Sequence, residues 1–120
     1  MITNTLELKM TPGGIAPFMH VSQYETGART FEFRLYDGDA EYPIPSGATV
    51  TLYGRRSDGV GFSTPCSIVG GKILVIVSAE MTVCAGRVEC EIELVSGETR
   101  VSTENFFLLV ERAAYRAGGV

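Results

Sequence analysis

Tryptophan is absent from this sequence, histidine occurs once and cysteine three times. Metal centres built on imidazole or thiolate clusters, and nucleophiles activated by histidine, have little to draw on. Positive charge is also scarce: 10 Lys and Arg stand against 14 Asp and Glu, a net charge of −4. Nucleic acid and anionic membranes call for clustered positive charge, so neither is an expected partner. No apolar run approaches the ~20 residues that cross a bilayer as a helix. The first ten residues lack the basic stretch followed by an apolar stretch of a secretory signal, so none is expected. What is present is 120 residues, 45% hydrophobic and 20% charged. That is the make-up of a globular chain with one core. A chain of this length buries roughly two thirds of its unfolded surface and needs no metal or disulfide staple.

Cys66, Cys84 and Cys90 form an odd set without a CxxC pair. Secreted disulfide scaffolds carry denser, even sets. Cys90 lies in Val88-Glu89-Cys90-Glu91-Ile92, on the apolar side of an alternating run, and Cys66 alternates with Ile68. All three read as reduced structural thiols. The competing reading is a Cys66–Cys90 bridge or a reactive Cys84, but nothing nearby in sequence would lower the Cys84 thiol pKa.

The hydrophobic period is two almost throughout. Phe31, Phe33 and Leu35 alternate with Glu32 and Arg34, the mark of a half-buried strand. Asp37-Gly38-Asp39 breaks that strand as a turn. Pro43 and Pro45 then mark an edge or a crossing loop. Strands are expected over residues 48–56, 62–69 (edge or bulged, because of Pro65), 72–77, 87–95 and 99–111. Two more are expected near Thr5–Met10 and Phe18–Ser22. Gly70-Gly71 is a two-residue hairpin turn. Ser78 caps a single helical turn over Ala79–Met81, which Gly86 stops. The fold expected is all-β: an antiparallel β-sandwich of seven to eight strands with one short helical turn, occupying residues 1–112. Residues 113–120 lose the pattern and read as a tail or the start of a linker.

Two strands are apolar on both sides, Ile73–Val77 and Phe106–Val110. In a two-layer sandwich one side of each strand should meet water. Either the N-terminal segment covers the second side, or it meets another chain. Leu74, Ile76, Phe107 and Leu109 are the candidate interface residues.

Candidates for chemistry are few. His20 reads as structural, since no Ser or Cys pairs with it in an obvious way. Asp37-Gly38-Asp39 with Glu41 resembles the start of a calcium loop but lacks its twelve-residue pattern, so a solvated turn is expected. Glu89, Glu91 and Glu93 line one strand face; solvent or an arginine (Arg87, Arg100 or Arg34) is a better partner for them than a second catalytic acid across a cleft. Arg55-Arg56 is a basic pair at a hairpin mouth, too small for a nucleic-acid patch. Tyr24, Tyr36, Tyr42 and Tyr53 supply the stacking surface that a sugar-binding module would need. No catalytic residue, metal or cofactor is expected.

Four stretches, in order, carry a resemblance. They are Val21-Ser22-Gln23-Tyr24-Glu25-Thr26-Gly27; Phe31-Glu32-Phe33-Arg34-Leu35-Tyr36-Asp37-Gly38; Ser46–Leu52 with Ser57-Asp58-Gly59; and Met81-Thr82 followed by Ala85-Gly86-Arg87-Val88 and Glu91-Ile92. Over about residues 20 to 112 the chain resembles the N-terminal domain of baseplate upper proteins from tailed phages of Gram-positive hosts. It departs at the first motif, where many members carry Gln-Gly-Asp and this chain has Gln23-Tyr24-Glu25. The resemblance implies a non-enzymatic virion protein that anchors a receptor-binding device to the tail tip, assembled in the host cytoplasm. Its implied partners are other tail or baseplate proteins and further copies of itself, the parent proteins being trimers. The alternative class is a carbohydrate-binding or adhesion β-sandwich.

Overall fold

The computed structural model describes residues 1–114; of the expected tail 113–120, residues 115–120 lie outside them. Eleven strands and one helical turn follow in the order β1 (Ile2–Lys9), β2 (Phe18–Ser22), β3 (Arg29–Asp37), β4 (Ala40–Glu41), β5 (Thr49–Arg55), β6 (Gly61–Pro65), β7 (Ser67–Val69), β8 (Lys72–Ile76), α1 (Ala79–Thr82), β9 (Gly86–Ser96), β10 (Thr99–Ser102) and β11 (Phe106–Glu111). The first sheet runs β1-β3-β8-β7, with β4 hairpinned onto β3. The second runs β2-β11-β9-β5-β6, with β10 paired to β9. The all-β sandwich with one short helical turn is therefore what the chain forms.

Among the described residues the strand count is eleven and not seven or eight, because two expected strands are each divided and the two residues of β4, after the Asp37-Gly38-Asp39 turn, pair back onto β3. The run from Phe62 to Val69 breaks at Cys66. β6 ends in the second sheet at Pro65, and β7 begins in the first. Pro65 stands at an edge-facing position, where a missing N–H breaks no bond to β5, and the Cys66 N–H makes the last bond to β5, to Val50 O at 2.9 Å, before the chain crosses to the first sheet. The run from Thr99 to Glu111 breaks at Thr103–Asn105. There the Thr103 hydroxyl accepts the Ile92 N–H (3.1 Å) and donates to Glu104 O (2.9 Å), so the side chain replaces ladder partners that the break removes.

The sheets are mixed, not purely antiparallel. β1 pairs parallel to β3, and β2 parallel to β11. The cause is the chain's alternation between layers. β1 lies in the first sheet, β2 in the second and β3 in the first again, so the third strand returns in the direction of the first.

Phe31 and Phe33 lie fully buried on β3, and Phe33 meets Phe106 of the opposite sheet at 5.1 Å between centroids. Leu8, Leu52, Ile73, Ile92 and Leu108 complete the layer between the sheets. Each such side chain contributes about 1.5–3 kcal/mol through burial. Gly54 faces this core opposite Phe62. A Cβ there would stand 2.3 Å from the Phe62 ring, so the missing side chain makes room for the aromatic one. Gly70 and Gly71, at φ 58° and 76°, form the expected tight turn between β7 and β8. Ser78 stands at the start of α1, but its hydroxyl makes no capping bond.

Candidate functional site

Alternation decides which side chains the sandwich leaves outside. On β11, Phe106, Leu108 and Val110 are buried, so Phe107 and Leu109 face outward. The register sets Phe107 between Phe18 of β2 and Glu89 of β9, and Leu109 between His20 and Arg87. Phe18 is exposed, and its ring meets His20 edge-on with centroids 5.5 Å apart. The Arg87 guanidinium lies over the Phe107 ring, 4.2 Å from its centroid. That contact half-covers Phe107 and is worth about 0.5–1 kcal/mol at an exposed site. The outcome is an aromatic and apolar strip of Phe18, His20, Phe107 and Leu109, topped by one arginine.

Beside the strip runs the acidic row of β9. Glu89, Glu91 and Glu93 face outward as the alternation requires. Of the expected arginine partners, Arg100 reaches Glu93 (3.5 Å) and Arg87 turns to Phe107. Arg34 belongs to the other sheet, where it lies 3.8 Å from Glu32.

The four candidate interface residues do not form one patch. Phe107 and Leu109 lie outside the second sheet, whereas Leu74 and Ile76 lie on β8, outside the first. Ile76 is 54% exposed and Leu74 is half-buried beside the Lys72–Glu32 ion pair (3.0 Å). The N-terminal segment covers neither strand's outer side. It extends the sheets sideways, with β1 beside β3 and β2 beside β11. Sequence reasoning missed Phe18, His20 and Arg87 as neighbours of Phe107. Their shared face follows only from the β2–β11 and β9–β11 registers.

His20 is exposed on this face and contacts Phe18. Tyr36 lies outside the first sheet and Tyr53 outside the second, so these two tyrosines do not combine into one stacking platform. The cysteines are free thiols. Burial pushes Cys66 up to about 11 and Cys90 up to about 12. Cys84 donates to the Asp58 carboxylate at 3.3 Å, and that bond, followed by burial, raises its pKa too. All three are held in the unreactive protonated form.

At one end of the sandwich the first motif of the sequence forms a clasp. The Gln23 side chain donates to Val83 O (2.9 Å) and accepts the Ala113 N–H (3.1 Å). The Glu25 carboxylate accepts the Ser22 N–H (2.7 Å) and pairs with Arg29 (3.1 Å). Arg29 donates in turn to Asn4 of β1 (2.5 Å). Burial pushes the Glu25 carboxyl up, but the Ser22 N–H and Arg29 together outweigh it and hold its pKa below the ordinary value. Between the two anchors Tyr24 takes φ 73°, the left-handed region.

A family model described as the BppU N-terminal domain matches residues 2–119. No curated protein matches the chain. Among solved structures, the N-terminal domain of phage TP901-1 ORF48 is similar. Its TM-score is 0.72 at 14% identity, over 92% of this chain and 99% of that one. At that identity the likeness concerns the fold alone.

Proposed function

The chain belongs to the BppU N-terminal domain family, a structural domain of the phage baseplate, and from that premise we propose that it anchors a receptor-binding device to the tail tip by protein–protein contact. The role is non-enzymatic, and residues 1–112 act as the anchoring module. The observation that carries the reading is the outer strip of the second sheet, where Phe18, Phe107 and Leu109 stand beside Arg87. Aromatic residues and arginine are the types enriched at the buried centres of protein interfaces. The depletion of positive charge and the scattered tyrosines give nucleic acid and glycans less to hold.

The test is binding to the purified baseplate proteins of the same phage, followed by calorimetry. Phe107→Asp and Leu109→Asp are expected to weaken binding at least tenfold while the thermal midpoint stays near the parent value. Binding left intact by both variants, or lost only because both unfold, would sink the assignment of this face.

A further inference from the structure

The outer edge of β1 carries unspent hydrogen-bonding groups, and their spacing is self-complementary. We propose that β1 pairs edge to edge with β1 of a second copy of this chain, antiparallel, about a two-fold axis through Thr5. The proposal goes beyond the baseplate reading and uses different residues.

The geometry comes from the ladder. Ile2 donates to Ala28 O (3.1 Å) and Met10 to Tyr36 O (2.9 Å), so the even-numbered N–H groups of β1 face β3. Peptide groups alternate sides along a strand. The N–H and C=O of Thr3, Thr5, Glu7 and Lys9 therefore face the open edge. Lys9 is already served. Its N–H donates to the Glu104 carboxylate (2.8 Å), and its C=O accepts the Glu104 N–H (2.8 Å). Thr3, Thr5 and Glu7 find no such partner among the described residues, and their side chains are exposed. Natural sheets protect a free edge with proline, a bulge or an inward charge. β1 is eight residues long, has none of these, and carries its one lysine at the capped end.

The three free residues are spaced evenly about Thr5. An antiparallel copy centred there sets Thr5 opposite Thr5 and Thr3 opposite Glu7, and each hydrogen-bonded pair exchanges two bonds. Charge fixes the same register. The Glu7 carboxylate meets the Thr3 hydroxyl, whereas centring on Glu7 would oppose two carboxylates. Centring on Leu6 would ask Lys9 for groups that Glu104 holds. On the inner side Asn4 meets Leu6, and Ile2, 53% exposed in one copy, meets the buried Leu8 of the other. The interface is isologous, and the first sheets of the two copies become one.

The test combines sedimentation equilibrium over a concentration series with amide hydrogen exchange on the full chain. A dimer is expected, with exchange at Thr3, Thr5 and Glu7 slowing as concentration rises. Asn4, Leu6 and Leu8 are slow at every concentration, because β3 protects them. Thr5→Pro removes only an edge-facing donor, which edge strands tolerate, and should raise the dimer dissociation constant about tenfold. If that variant unfolds, Thr5→Lys, which sets two ammonium groups opposite each other, carries the same expectation. A wild-type chain that stays monomeric up to on the order of 1 mM overturns the proposal. So does a dimer whose Thr3, Thr5 and Glu7 amides exchange fast, or one that both variants leave intact. A strand of another protein seated on this edge, with the chain itself monomeric, overturns the choice of a second copy.

Discussion

The side-chain oxygen of Gln23 accepts the backbone N–H of Ala113 at 3.1 Å, across 90 residues of sequence. The same amide donates to Val83 O. One side chain thus ties the exit of the last strand to the turn after β2 and to the loop after α1. Gln23→Ala should cost about 1–3 kcal/mol for the two bonds, read as a lower thermal midpoint. Amide exchange at Ala113 should rise well before the core opens. Unchanged exchange there would show that the clasp does not hold the exit.

Tyr24, between the two clasp residues, is the only non-glycine described residue at positive φ. An L-residue pays roughly 1–2 kcal/mol in that region, offset in part by the extra freedom that glycine loses on folding. Tyr24→Gly should therefore be neutral to about 1 kcal/mol stabilising. Tyr24→Val, β-branched at the same φ, should be destabilising. Chemical denaturation of the pair checks the ordering.

Gly54 has no room for a methyl group under the Phe62 ring. Gly54→Ala should destabilise by about 1–3 kcal/mol, the usual cost of overpacking. Adding Phe62→Leu should recover part of that loss, since the smaller side chain vacates the space. A double variant no better than Gly54→Ala alone would place the strain elsewhere.

Outward and inward neighbours on β11 should respond in opposite ways. Phe106→Ala empties the core and should cost about 3–5 kcal/mol. Phe107→Asp, one residue on, should leave the fold standing and lose only the Arg87 contact. Equal destabilisation by the two would make Phe107 a core residue and end its candidacy as a docking contact.

The Glu25 carboxyl is held below its unfolded pKa by Ser22 and Arg29. Its contribution is therefore present above the ordinary glutamate range and lost as pH falls through the folded value. Stability followed from pH 6 to pH 2 should drop more steeply for the parent than for Glu25→Gln. Parallel curves would show that the carboxylate adds nothing by being charged.

Much of the sandwich was legible because a half-buried strand writes its burial into the sequence every second residue. Phe31, Phe33 and Leu35 are inward as their spacing requires, and Gly70-Gly71 turns where two glycines allow it. Partner choice was not legible. Nothing in Thr5-Leu6-Glu7-Leu8 says that its neighbour is β3 or that the pairing is parallel. The breaks at Cys66 and Thr103–Asn105 were hidden because apolar alternation resumes on both sides of each. The candidate interface shows the same limit. The surplus apolar residues were evident, but Leu74 and Ile76 fell on one sheet and Phe107 and Leu109 on the other, which only the topology decides.

The parallel pairing of β2 with β11 also bears on how the chain matures. β2 is complete by Ser22, yet its only strand partner among the described residues ends at Glu111. During synthesis β2 must wait until β11 has been made, with Met19 and Val21, both buried in the folded chain, still uncovered. Long-range closure of this kind is slow and leaves a sticky segment in solution meanwhile. β11 is the strand that completes the second sheet beside β2, so a chain cut short before Phe106 would keep β2 unpaired.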